Sequence, residues 1–316
     1  MTDTSEDLKS VLFDCHPLAA PESQSAPGQL TVQDLTEVYR VRQTTAATAL
    51  YAVAGRPLTH SASPVMHNLG FATEGLDAVY VPLESDDAQE FLRVADAFHV
   101  RGASVTAPLK RALVTYADAT DEISRDIGAT NTLRRRATGW EAANFDVAGF
   151  LAPLDRRGVA LAGTRAVVLG AGGAARAAAF ALRDRGATVA VAARRPEAAE
   201  GLATALGVEV ETWPPAGPWE VLVHATPVGT WPEQGEAVLE RDALTGRVVY
   251  DLVYNPPDTQ LLQRARAGGR ETIDGLEMLV GQACAQFEWW TGRAAPAAAM
   301  EKAARAFVGR DRRGDQ

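Results

Sequence analysis

The chain has 316 residues, 47% of them hydrophobic and 22% charged, with a net charge of −9. Length and apolar content provide for about two cored domains and exclude global disorder. The acidic balance argues against nucleic acid as the main partner, and the longest mostly apolar run, "AVVLGAGGAARAAAFAL", is broken by glycines and Arg176 and is no membrane span.

The first segment, "MTDTSEDLK", is acidic and lacks the apolar centre of a signal peptide. Cys15 and Cys284 lie far apart, and no Cys or His has metal-type spacing. The expectation is a reduced, cytoplasmic protein with no metal. "PLAAPESQSAPGQ" reads as loop, and "TVQDLTEVYRVR" predicts a short helix with Leu35, Val38 and Tyr39 on one face. From Tyr51, "YAVAGRP" and "AVYVPLE" read as strands, "DAQEFLRVADAFH" as a helix, and "GASVTAP" as a third strand followed by a helix. "TNTLRRR" and "GWEAAN" form a hairpin around Thr138–Gly139, and "DVAGFLAPLDRRG" is a helix that leaves this unit.

Residues 165–275 alternate strand and helix. The strands are "RAVVLGAG", "TVAVAAR", "EVLVHATP" and "RVVYDLVY"; helices fall at about 172–185, 196–206 and 258–268. This alternation predicts a parallel, doubly wound sheet. Two helices, about 277–291 and 296–309, close the chain. The fold class is therefore α/β, with an N-terminal α/β domain ahead of a Rossmann-like doubly wound domain. The expected limits are an extension over 1–49, a first domain over 50–147 completed by 277–309, and a second domain over 148–276.

"RAVVLGAGGAAR" ends a strand and opens a helix, with glycines at 170, 172 and 173. Such a loop lets a diphosphate approach the backbone and the free N–H groups of a helix start. The next strand ends "VAARRPEAAE", so Arg194 and Arg195 stand where an NAD site carries an acid. Guanidinium groups suit a 2′-phosphate, which points to NADP.

Lysine is rare in this chain: among 31 basic residues only Lys9, Lys110 and Lys302 are lysines. Lys110 closes "SVTAPLK", and Asp146 lies in "AANFDVAGF". A lysine beside a carboxylate can shuttle a proton, which arginine cannot. A surface lysine and a helix-capping aspartate are the plain alternative. In "GRPLTHSASPVMHN", Ser61 and Ser63 stand two apart; on an extended stretch both hydroxyls point the same way and suit a polyhydroxylated ligand, although Ser-x-Ser-Pro also makes turns.

Taken together, "GRPLTHSASPVMHN", "GASVTAPLK", "GATNTL", "NFD", "GAGGAAR", "HATPVG", "DLVYNP" and "DGLEMLVGQA" resemble the shikimate dehydrogenase family, in the family's order, over about residues 50–292. The resemblance implies an N-terminal substrate domain, a Rossmann-like NADP domain and reversible reduction of 3-dehydroshikimate to shikimate. It implies Lys110 and Asp146 as the catalytic pair. Ser61, Ser63, Thr106, Asn131, Tyr254 and Gln282 are implied as substrate-binding residues. Gly170, Gly172, Gly173, Ala174, Arg194, Arg195, Thr226, Gly275 and Met278 are implied on the cofactor side. No metal is implied.

The chain departs from the family pattern at Ser104, Phe145, Ala193 and His224. The family has Asn at Ser104, at Ala193 and at His224, and Thr at Phe145. Phe145 adds bulk beside the implied acid and leaves a quinate- or aminoshikimate-type substrate open, with a catalytically reduced ligand- or partner-binding paralogue as the other alternative; His224 reads as structural or cofactor-side. "SAPGQLTVQDLTEVYR" (25–40) resembles the C-terminal tail of type I 3-dehydroquinate dehydratase and reads as a fusion remnant or packing arm, with docking to a dehydratase left open. The expected partner is a small-molecule substrate, with no nucleic acid and no membrane; a homodimer is left open.

Overall fold

The computed structural model describes residues 30–231, 235–240 and 243–311, and side chains through Val308. Cys15 and the start of the dehydratase-like segment lie outside the described residues. The chain divides into two units. The first holds the described residues up to Asn144 together with Gln286–Phe307; the second holds Phe145–Ala285 and the chain from Val308.

The first unit opens with a short π-helical turn, Asp34–Val38. Leu35 and Tyr39 are buried in the unit's core and Val38 packs against it, so the apolar face read in the sequence is the face that packs. The order thereafter is β1 (Ala49–Gly55), α1 (Ser63–Thr73), β2 (Ala78–Glu84), α2 (Ala88–Ala97), β3 (Gly102–Val105), α3 (Lys110–Thr115), β4 (Ala119–Thr120), α4 (Glu122–Ile127), β5 (Thr132–Arg135) and β6 (Trp140–Ala143). The sheet runs β2-β1-β3-β5-β6-β4. β1, β2 and β3 are parallel, β5 joins β3 antiparallel, and β5–β6 is the expected hairpin. β1 is almost wholly buried, as a central parallel strand covered on both faces must be. Local signals set the helix starts: Asp87 caps α2 by accepting the Glu90 N–H at 2.7 Å, and Asp121 caps α4 through Ser124.

The second unit begins with α5 (Asp146–Arg156) and continues β7 (Arg165–Leu169), α6 (Gly173–Asp184), β8 (Thr188–Ala192), α7 (Pro196–Leu206), β9 (Glu209–Val210), β10 (Val221–His224), β11 (Val248–Asp251), α8 (Gln260–Ala267) and β12 (Glu271–Ile273). Its sheet is parallel throughout, in the order β12-β11-β10-β7-β8-β9. Chain order runs outward from β7 to one side, then returns to place β10 on the other. The glycine loop therefore follows the strand at the switch point, where doubly wound sheets open a ligand crevice. α9 (Gly275–Thr291) starts in this unit and finishes in the first, and α10 (Ala297–Asp311) ends the described chain. Among the described residues no helix is long and apolar enough to cross a membrane.

Candidate functional site

In the first unit, five of the sequence-predicted residues gather at the carboxyl ends of the parallel strands. Thr106 follows β3 and donates its N–H to the Ala54 carbonyl of β1 at 2.8 Å. Leu109 closes a turn onto the Thr106 carbonyl at 3.0 Å, and Lys110 opens α3. The Lys110 carbonyl accepts the Thr130 N–H at 2.9 Å, and the next carbonyl, of Asn131, accepts the Val105 N–H at 2.7 Å. Backbone bonds thus clasp Thr106, Lys110 and Asn131 together before any side chain is considered. The Ser61–Ser63 turn is tied to the same edge, because the Leu58 N–H reaches Glu84 at the end of β2 at 2.7 Å and the Ser61 N–H reaches the Leu58 carbonyl at 2.9 Å.

The two serines do not lie on an extended stretch. Ser63 is the first residue of α1, Pro64 stands at the helix start, and Ser61 Oγ accepts the Ser63 N–H at 3.4 Å. Proline's fixed φ favours the first helical turn, so the turn that Ser-x-Ser-Pro left open is the geometry adopted. Ser63 is buried and lies against the Tyr80 hydroxyl, while Ser61 is half-buried.

Beneath this edge lies a buried cluster without a formal charge. The Tyr80 hydroxyl donates to Ser104 at 2.6 Å, and Ser104 donates to Gln286 at 2.8 Å. The His67 ring stacks on Tyr80 with centroids 4.5 Å apart and lies 5.2 Å from Trp290. Complete burial pushes its pKa down to about 3, against a smaller upward pull from the neighbouring Gln286; neither ring nitrogen makes a hydrogen bond of ordinary geometry. Burial likewise raises the Tyr80 phenol, so it stays a neutral donor.

In the second unit, Asp146 is buried in the first turn of α5, directly after Phe145 at the N-cap. Asp146 and Lys110 therefore belong to different units. α5 carries Gly149, where an added Cβ would stand 2.8 Å from Gln282 Cβ, Gln282 N and the Met278 carbonyl. Only glycine lets α5 approach α9 this closely, and the approach seats Gln282 and Met278, both buried. Gly149→Ala is expected to cost about 1–3 kcal/mol in urea unfolding. An unchanged midpoint would mean that α9 yields freely. Tyr254 is half-buried in the loop after β11, and Gly275 begins α9.

The residues that the sequence implied on the cofactor side, Gly275 and Met278 of α9 apart, group around the end of β7. Gly170 has φ +119, and a Cβ there would meet the Ala225 carbonyl at 2.7 Å. Gly172 is the extended N-cap of α6 and has no side chain to cap it; a Cβ there would meet nothing within 4 Å. Gly173 and Ala174 open the helix, whose first-turn N–H groups have no partner within the helix and no side-chain cap. Arg194 and Arg195 follow β8 on the neighbouring strand. Both are exposed, and among the described residues neither makes an ion pair. An open glycine cradle, an uncapped helix start and two available guanidinium groups fit a phosphorylated dinucleotide.

Thr226 stands beside Gly170 and is held from behind. His224 Nε2 lies 2.5 Å from Thr226 Oγ1, and His224 Nδ1 lies 2.8 Å from Asp251 Oδ1. Asp251 also accepts the Val253 N–H at 3.0 Å and the Thr259 hydroxyl at 2.6 Å. In the neutral ring the carboxylate accepts from Nδ1, leaving Nε2 to accept the Thr226 hydroxyl. Sequence reading did not find Asp251, Thr259, Tyr80 or Gln286. Gln286 had a signal: it lies one helical turn past Gln282, so the two share a face. Among the described residues no group of His, Cys, Asp and Glu could hold a metal ion.

Comparison with known proteins matches residues 53–133 to the shikimate dehydrogenase substrate binding domain and residues 275–305 to the shikimate 5'-dehydrogenase C-terminal domain. A shikimate dehydrogenase (NADP(+)) of Moorella thermoacetica is 40% identical over 289 residues, covering 84% of this chain and 96% of the relative. Its counterpart in Halobacterium salinarum is 44% identical over 264 residues, covering 81% and 98%. The crystal structure of shikimate 5-dehydrogenase from Thermus thermophilus, in complex with NADP(H) and shikimate, aligns with a TM-score of 0.76 at 35% identity, covering 82% of this chain and 99% of that one. The two domain models and the near end-to-end similarity agree with the fold and with the order of the motifs: this chain belongs to the shikimate dehydrogenase family.

Proposed function

We propose that this chain is an NADP-dependent dehydrogenase that interconverts 3-dehydroshikimate and shikimate. The observation that carries the reading is the match over nearly the whole length of relatives named NADP(+) shikimate dehydrogenases. The geometry supports it from both units. The first offers hydroxyl and amide groups at one strand edge, suited to a ring with several hydroxyls, and the second offers a phosphate cradle beside two arginines.

When bound, the nicotinamide supplies or accepts the hydride at the substrate's carbinol carbon. Lys110 Nζ gives the proton to the carbonyl oxygen in reduction and takes it from the hydroxyl in oxidation, with Asp146 as its carboxylate partner. Ser61, Ser63, Thr106, Asn131, Tyr254 and Gln282 hold the substrate. Such a site rejects analogues lacking one hydroxyl, because its own buried groups are left unpaired. Gly170, Gly172, Gly173, Ala174 and Thr226 receive the diphosphate end, Arg194 and Arg195 the 2′-phosphate and adenine, and Gly275 and Met278 the nicotinamide end. The setting is cytoplasmic and reducing, in keeping with Cys284 forming no disulfide among the described residues. The described part of the segment, residues 30–40, acts as a packing arm, because Leu35 and Tyr39 are buried in the first unit's core.

Phe145 favours a second reading, a quinate-type substrate, since it places an aromatic ring immediately before Asp146. One assay decides between them: shikimate and quinate, each offered with NADP and with NAD, followed by the appearance of reduced nicotinamide. Shikimate with NADP is the expected pair; turnover of quinate alone would transfer the specificity to Phe145. In the same assay, replacing Arg194 and Arg195 together with alanine is expected to raise the KM for NADP by about 10- to 100-fold and leave NAD little changed. Equal effects on both cofactors would remove these arginines from 2′-phosphate recognition.

A further inference from the structure

The buried network beneath the substrate edge has a single direction, and a backbone carbonyl sets it. The Asn131 carbonyl oxygen can only accept. Gln286 approaches it at 3.1 Å, so the atom facing it is the amide nitrogen Nε2. The same nitrogen donates to Thr132 Oγ1 at 2.8 Å. The other end of the amide, Oε1, accepts the Ser104 hydroxyl at 2.8 Å, which frees Ser104 to accept the Tyr80 hydroxyl at 2.6 Å. Thr132 Oγ1 has received the Gln286 hydrogen and has its own to give, and its partner is the Asn131 side chain at 2.7 Å. The Asn131 atom at that point is therefore the carbonyl Oδ1. Its amino group points away from Thr132.

Gln286, Thr132 and Tyr80 are fully buried, and Asn131 and Ser104 nearly so, so no solvent is at hand to satisfy a reversed amide. The same network touches Ser63 through Tyr80, so it runs under two residues of the proposed substrate edge. Ser104 and Gln286 meet at 2.8 Å across 182 positions of sequence.

We infer that Gln286 is a positioning residue for substrate recognition: acting through Thr132, it holds Asn131 with its amino group toward the substrate, so the site selects an acceptor oxygen there. The inference rests on the proposed reading of Asn131 as a substrate residue. Thr132→Val keeps the β-branched shape in β5 and removes the relay, whereas Thr132→Ser keeps the hydroxyl. Thr132→Val is expected to raise the KM for shikimate about tenfold, with kcat and the KM for NADP within about twofold, and Thr132→Ser to stay near the unaltered chain. Gln286→Met, which removes the donor itself, is expected to give the same KM-only pattern. A wild-type KM in folded Thr132→Val, or equal impairment in the valine and serine variants, overturns the inference. Neutron diffraction from deuterium-exchanged crystals of the unaltered chain decides the amide orientation even if a variant fails to fold. Deuterium on Thr132 directed at Asn131 is expected, and deuterium on Asn131 directed at Thr132 overturns the inference. Failure of the unaltered chain to oxidise shikimate overturns the proposed function instead, with the neutron result still deciding the amide.

Discussion

Replacing Lys110 with alanine is expected to lower kcat for shikimate oxidation by about 10²–10⁴-fold, the usual effect of removing a general acid–base group. The fold should not suffer. Lys110 is a half-buried first residue of α3, and its tie to Thr130 runs through the backbone carbonyl, which alanine retains. The informative companion is Lys110→Arg. It preserves a cation of similar reach, but a guanidinium holds its proton at any working pH, so it should be nearly as inactive as alanine. NADPH binding, followed by its fluorescence, should be unaffected in both variants. An active Lys110→Arg would reduce the lysine to electrostatic substrate binding and leave the proton to another group. The rarity of lysine in the chain would then have no catalytic reason.

The second large effect concerns stability in mild acid. His67 is fully buried, and burial holds its pKa down to about 3 from an ordinary value of 6.5. In the unfolded chain the imidazole protonates near 6.5, so between pH 6.5 and 3 the unfolded state binds the extra proton. Stability therefore falls as pH drops through that window and is unaffected above it. Between about pH 7 and about pH 4 this one group should remove about 3 kcal/mol. His67→Leu abolishes the titration at some packing cost against Tyr80 and Trp290. The comparison is therefore the change in unfolding free energy between the two pH values, not its level at either. Urea titrations at those two pH values measure it. Equal losses in wild type and His67→Leu would show that the folded state finds a way to hold the charge, through Gln286 or through water.

Much of the second unit was legible because its signals are contiguous. The strand, glycine loop and helix of "RAVVLGAGGAAR" occupy neighbouring positions, and the switch-point location follows from the order of later strands. The Leu35, Val38 and Tyr39 face was also legible, since helical spacing needs only local sequence. For the serines the sequence left an extended stretch and a turn open, and the structure takes the turn, with Pro64 starting a helix. His224 was visible as a departure, but its meaning depended on Asp251, 27 residues later. The parallel register of β10 and β11 sets the two side by side, and register is a property of the sheet.

The sequence by itself determined the class of fold, the family, the glycine cradle, and the lysine and carboxylate on which the chemistry is staked. Each of these is written in short stretches whose local physics, hydrophobic period, helix start or proton affinity, does not depend on distant residues. Only the tertiary structure decided the hydrogen-bond direction at the proposed substrate edge. That direction passes from the Asn131 carbonyl through Gln286 and Thr132, and Gln286 stands 155 positions from the one and 154 from the other. A donor is told from an acceptor there only by what faces it in the buried core.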